Sequence, residues 1–172
     1  MHTHWPQTFK AVYHQAVAAY RAGQRGPSQL FSAKDAEFLA SIGCTSQELY
    51  DFVEDAVNGG EPDFETCLLV TAARRDYFLV IQGGKWTGRT TPSATLPAKT
   101  AAVEGIPWLP RIIEKAKIKL RGEMEPDLMY GCGGDRPFLA KFDIHLADFL
   151  RKVWAANGDD QAVIDYVKSR VR

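Results

Sequence analysis

Missing from this chain is a surplus of either charge. Its 172 residues carry 21 lysines and arginines against 21 aspartates and glutamates. Binding nucleic acid by phosphate neutralisation ordinarily needs a basic excess, so no nucleic-acid partner is expected. Long apolar runs are missing too. The longest, Tyr77-Phe-Leu-Val-Ile81, is far short of the roughly 20 residues that span a bilayer, and no membrane partner is expected. Cysteine is scarce: Cys44, Cys67 and Cys132 form an odd set without metal-ligand spacing. His2, His4 and His14 likewise lack the carboxylate or histidine spacing that would hold a metal. Met1-His-Thr-His-Trp-Pro6 has neither the basic start nor the apolar core of a secretory leader. A cytoplasmic location with thiols rather than disulfides is the expectation. There is no P-loop, no G-x-S-x-G elbow, no C-x-x-C pair and no H-E-x-x-H, so no enzyme class is assigned.

What is present reads as helix. Hydrophobic residues make up 45% of the chain, enough for one compact domain or two small ones. Phe9, Val12, Tyr13, Ala16, Val17 and Tyr20 form one apolar stripe, started by Pro6 and stopped by Gly23. Asp35 is placed to cap a short helix burying Phe38, Leu39 and Ile42. Thr45-Ser-Gln-Glu48 has capping-box spacing and opens a third helix with Leu49, Phe52, Val53 and Val57 inward. Asp63 caps a fourth, carrying Phe64, Cys67, Leu68 and Thr71. The apolar, β-branched run at 77–81, followed by Gln82-Gly-Gly84, favours a small β-hairpin over about 77–91. The alternative extends the fourth helix to a stop at Gly83. Thr91-Pro-Ser-Ala-Thr-Leu-Pro97 shows no periodicity and reads as a linker.

From Gly105 the first part is heard again at an offset of 100. Leu109, Ile112, Ile113, Ala116 and Leu120 repeat Phe9, Val12, Tyr13, Ala16 and Tyr20. Asp135, Phe138, Leu139 and Ala140 repeat Asp35, Phe38, Leu39 and Ala40, and the register holds to Val53 and Val153. The last helix follows Asn157-Gly-Asp-Asp160 and matches the fourth after a shift of about four residues. The expected fold is therefore mainly α: two similar four-helix units related by internal duplication. Residues 1–75 and 105–172 are the units, and 76–104 the connection.

The stretch Gly105-Ile-Pro-Trp-Leu-Pro-Arg-Ile-Ile-Glu-Lys-Ala116 also resembles a bacterial family classed only as a domain of unknown function. Its hallmark is a Gly-x-x-Trp-Leu-Pro-Arg-x-Ile-x-Lys-Ala helix, then a short glycine-containing loop and Phe-Leu and acid-rich helices. The resemblance covers about residues 97–170 and thins to the internal echo further upstream. It implies a bacterial, intracellular, helical protein and supplies no chemistry.

Comparing the two halves separates folding from function. Features kept in both, such as Asp35 and Asp135, read as helix caps. The preceding loop differs: Phe31-Ser-Ala-Lys-Asp35 in the first half, Gly131-Cys-Gly-Gly-Asp-Arg136 in the second. Glycines before a helix N-terminus expose backbone donors to an anion, and Arg136 adds a forked one. The bland reading is a tight loop needing glycine only for its turns. Cys132 lies near that helix N-terminus, which favours a nucleophilic thiol, the bland reading being a small buried residue. It is the catalytic candidate. His145 stands where the first half has Thr45, at the start of the next helix. Arg111, Lys115 and Lys119 form a basic stripe read as a solvated face. Trp108, between Pro107 and Pro110, anchors the chain or stacks on a ligand.

These residues define one expected site: Tyr130, Cys132, Gly133, Gly134 and Arg136, with Trp108 or His145 contributing, in the cleft between the halves. Its ligand would be a small anionic molecule. The competing expectation is a non-catalytic helical adaptor that offers a groove to a protein partner.

Overall fold

The computed structural model describes residues 3–170, and His2 lies outside them. The chain divides into two compact units, Met1–Trp86 and Thr87–Arg172. The architecture is mainly helical with one very small antiparallel sheet.

The first unit holds α1 (Trp5–Arg21), α2 (Pro27–Leu30), α3 (Ala33–Ser41), α4 (Ser46–Gly59) and α5 (Phe64–Val80). Helix α1 packs on α4 and α5 through Phe9, Val12, Tyr13, Ala16 and Tyr20, all buried. Thr45 and Glu48 close the expected capping box at the start of α4. Asp63 caps α5 by accepting from Thr66 N at 2.8 Å. Asp35 departs from its expected role. Ser32 is the N-cap of α3, and Asp35, at the third helical position in the first turn, accepts from Ser32 N at 3.0 Å. A serine three residues before an acid forms the box more readily than the acid alone caps the turn.

The hairpin expected over 77–91 is not there. Residues 77–80 continue α5, and the alternative stop near Gly83 is what forms. Once Asp63 has started the helix, each further residue adds a hydrogen bond at little cost, and no breaker intervenes before Gly83. Cys67, Val70, Arg74 and Phe78 are buried at helical spacing, while Val80 and Ile81 are exposed. Trp86 then returns to the unit, stacking near Phe78 at 5.4 Å and donating to Ala40 O at 3.2 Å.

The second unit opens with the segment read as a linker. It is laid down firmly: Thr91 N donates to Glu123 O at 2.8 Å, and Leu96 is buried with Ile118 and Leu128. A hairpin follows, β1 (Ala102–Val103) and β2 (Ile106–Pro107), in the register Val103 to Ile106. Its two-residue turn has φ +48° at Glu104 and +78° at Gly105, the left-handed pair that suits strand twist. Lys168 and Gln161 of α9 (Asp160–Lys168) hold the Glu104 carboxylate. Then come α6 (Leu109–Arg121), α7 (Asp135–Ala140) and α8 (Leu146–Ala156). Helix α6 packs on α8 and α9 and buries Leu109, Ile112, Ile113, Ala116 and Leu120.

No helix among the described residues is long and apolar enough to cross a membrane.

Candidate functional site

The second unit concentrates its unusual chemistry where α6 meets the 131–136 loop. Trp108 is the N-cap of α6 in a left-handed conformation, φ +72°, which swings the chain from β2 into the helix. A tryptophan held there is strained, and its ring explains the geometry. The indole Nε1 donates to Asp135 Oδ1 at 3.0 Å. Seven residues on, two helical turns along the same face, Lys115 Nζ donates to Asp135 Oδ2 at 2.5 Å. Gly131 N also donates to Oδ2, at 2.9 Å, and is the third donor to this carboxylate.

Two expectations are corrected here. Asp135 does not cap α7: Gly134 is the N-cap, without a side-chain bond, and Asp135 is fully buried. Lys115 and Lys119 do not lie on a solvated face, both being about as buried as the apolar core. The physical reason is mutual. A carboxylate can leave water only if charged and polar donors replace it, and a lysine only if an anion meets it. Lys115 and Asp135 supply each other's condition.

The thiol sits against this pair. Lys115 Nζ also donates to Cys132 Sγ at 3.3 Å, and Cys132 retains partial exposure. The loop is otherwise closed on itself. Asp135 N and Arg136 N donate to Cys132 O at 2.9 and 3.1 Å, and Arg136 Nη1 donates to Gly131 O at 2.7 Å. Several donors expected to meet an anion therefore already have acceptors within the loop.

Tyr130 points its hydroxyl inward, donating to Leu146 O at 2.8 Å. Burial, with Asp135 as a second influence, holds its phenol well above the ordinary range. It is a neutral structural donor at any physiological pH. His145 is the N-cap of α8, its Nδ1 accepting from Ala147 N at 3.1 Å. It does for α8 what Thr45 does for α4.

Open space lies on the other side of the loop. A cleft of about 340 Å³ is lined by Ile106, Pro107, Trp108, Gly134, Pro137, Phe138 and Phe142, with Lys99 and Lys141 among them. No acidic residue contributes to its lining. The ring centroids of Phe138, in α7, and Phe142, in the turn that follows it, stand 5.2 Å apart. Gly134 is where the loop meets the cleft. A Cβ built on it would lie 2.5 Å from Trp108 Cζ2 and 2.8 Å from Cη2. The backbone there is right-handed helical, φ −92°, so glycine is needed for room beside the indole and not for its conformational freedom. That role differs from the open anion approach expected of it.

Of the expected site residues, Trp108 and Gly134 line the cleft; Tyr130, Cys132, Gly133, Arg136 and His145 are not part of its lining. Sequence reasoning missed Lys99, Lys141 and Phe142. The one available signal was the pair Phe138 and Phe142, two aromatic residues four positions apart, one in α7 and one in the turn that ends it. Among the described residues, no group of three or more His, Cys, Asp or Glu could hold a metal ion.

No family model matches the chain, and neither a curated protein nor a solved structure does.

Proposed function

We propose that the second unit binds a small anionic molecule with a flat apolar body. The observation that carries this is the composition of the cleft: aromatic, proline and isoleucine walls, two lysines and no acid. Apolar walls with few polar groups suit a small-molecule site, and the volume falls at the lower end of such sites. The fit is to an aromatic or alicyclic carboxylate or phosphate. Its body would lie against Trp108, Phe138 and Phe142, its charge toward Lys99 or Lys141. This keeps the ligand class expected from the sequence but seats it beside the glycine loop, on Trp108 and Gly134, instead of on the loop's backbone donors.

Calorimetry with benzoates, indole carboxylates and aryl phosphates tests the reading, with Trp108 fluorescence as a second readout. Aromatic anions are expected to bind and their uncharged amides to bind more weakly. Lys99→Ala and Lys141→Ala should each weaken binding about twofold to fivefold, the range for an exposed charge interaction. Equal binding of anion and amide, or no binding of any aromatic anion, overturns it.

The adaptor reading has less support. The large apolar side chains exposed among the described residues are Leu69, Val80 and Ile81, none of them aromatic. Kinship with the bacterial family of the Gly105–Ala116 motif is likewise proposed on that motif alone.

A further inference from the structure

We propose that Cys132 is a peroxide-oxidisable thiol whose reactivity is set by the buried Lys115–Asp135 pair. The inference does not depend on what the cleft binds.

Three observations support it. The first is placement: Lys115 Nζ lies 3.3 Å from Cys132 Sγ while Asp135 Oδ2 holds the same ammonium at 2.5 Å. The second is burial. Lys115 is 2% exposed and Asp135 0%, whereas Cys132 remains partly open to solvent. An ammonium shielded from water acts on a neighbouring sulfur, and on a peroxide oxygen brought up to it, far more strongly than a solvated one. The third is local charge balance. The Asp135 carboxylate opposes negative charge on sulfur, but Lys115, the Trp108 indole and Gly131 N already answer it. Arg136, tied to Gly131 O at 2.7 Å, brings a second cation to the same loop.

The chemistry is a simple displacement. Sulfur attacks one oxygen of a hydroperoxide, an S–O bond forms and the O–O bond breaks. The thiol proton ends on the departing hydroxide or alkoxide, with the Lys115 ammonium placed to relay it. Cys132 loses an electron pair and becomes a sulfenic acid; the peroxide becomes water or an alcohol. No other cysteine lies in residues 87–172. A low-molecular-weight thiol is therefore the next reactant, forming a mixed disulfide and releasing water.

Cys44 and Cys67, 2% and 0% exposed, are internal controls on the same chain. The test treats the full chain with hydrogen peroxide, traps sulfenic acid with dimedone and maps the adduct by peptide mass spectrometry. The rate at each cysteine is measured natively and again in urea, which removes the local environment. Cys132 is expected to react natively about tenfold faster than in urea, and ahead of Cys44 and Cys67. In the double variant Lys115→Met, Asp135→Leu most of that acceleration should vanish. A native Cys132 rate at or below its rate in urea overturns the proposal without any variant. So does a folded double variant that reacts as fast as the parent. If the double variant does not fold, the comparison of native and urea rates decides alone.

Discussion

The indole of Trp108 joins two sites that would otherwise be separate. One edge of the ring lines the cleft, while its Nε1 donates to the buried Asp135 carboxylate at 3.0 Å. Asp35, one hundred positions earlier, is a partly buried member of a capping box. The same residue type thus does two jobs. What differs is the opposite helix: positions 8 and 15 are Thr and Gln, whereas 108 and 115 are Trp and Lys. Donors on α6 draw Asp135 inward and away from the cap.

The first prediction concerns this pair. Asp135→Asn leaves Lys115 buried beside a neutral amide, and removing one partner of a buried ion pair costs about 3–5 kcal/mol. Replacing both, Lys115→Met with Asp135→Leu, should recover only part of the loss, because the Trp108 indole and Gly131 N lose the acceptor they share. Urea unfolding of the three proteins measures it. A single-variant cost near zero would show that the pair does not carry the loop.

The second prediction addresses the core register. Leu39 and Leu139 are 0% and 1% exposed and end short helices that turn the same way. Cys44 N and Ile144 N donate back to their respective carbonyl oxygens at 3.0 and 3.1 Å. Gly43 and Asp143 make the turns at φ +74° and +53°. Leu39→Ala and Leu139→Ala should each cost about 2–5 kcal/mol. We propose internal duplication as the origin of this parallel. Costs that differ by more than that range would count against equivalent positions.

The helices were legible because burial and periodicity act locally. The apolar positions from Phe9 to Tyr20 and from Leu109 to Leu120 recur at helical spacing, and both stripes are buried apart from the half-buried Val17. Thr45–Glu48 and Asp63 announced their helix starts for the same reason. The run Tyr77-Phe-Leu-Val-Ile81 was misread because five apolar residues carry no period of their own; the preceding helix decided them. The hairpin at 102–107 was invisible because a strand of two residues leaves no alternation to find. The site failed differently. Lys115 and Asp135 are twenty positions apart, and an ion pair buried by tertiary packing has no local signature. Read alone, a lysine on a basic helix is solvated, and an aspartate before Phe-Leu is a cap.

The third prediction is a pH dependence. Glu123 is 4% exposed and pairs with Arg121 at 2.7 Å and Arg89 at 3.2 Å. Burial alone would raise its carboxyl; the Arg121 bond, with Thr87 and Arg89, outweighs that and holds it below the usual value. A depressed carboxylate stabilises the fold above its unfolded pKa, about 4.3, and that share is lost as pH falls through the lower folded value. Glu123→Gln should therefore melt a few degrees below the parent at neutral pH. The gap should close as pH falls below about 4. A gap independent of pH would mean that packing, not charge, is what Glu123 contributes.

The last prediction tests the junction of loop and cleft. Gly134 has a backbone any residue can adopt, so Gly134→Ala meets no conformational penalty there. The conflict is with Trp108, whose Cζ2 and Cη2 would lie 2.5 and 2.8 Å from the new methyl. Real contacts of that kind do not occur, so the indole must move. It cannot move without consequence, because its backbone is pinned at φ +72° and its Nε1 is bonded to Asp135. Shifting the ring lengthens that bond, and losing a hydrogen bond to a charged group costs about 1.5–3 kcal/mol. The shifted ring also reshapes the cleft wall. Gly134→Ala is therefore expected to lower stability by that amount, alter Trp108 fluorescence and weaken aromatic anions together. Gly133→Ala makes the control, since its nearest neighbour is the end of the Arg136 side chain at 3.9 Å, and a flexible guanidinium can give way. Equal effects from the two substitutions would show that glycine serves the loop's flexibility at both positions, and that the indole contact is not what Gly134 provides.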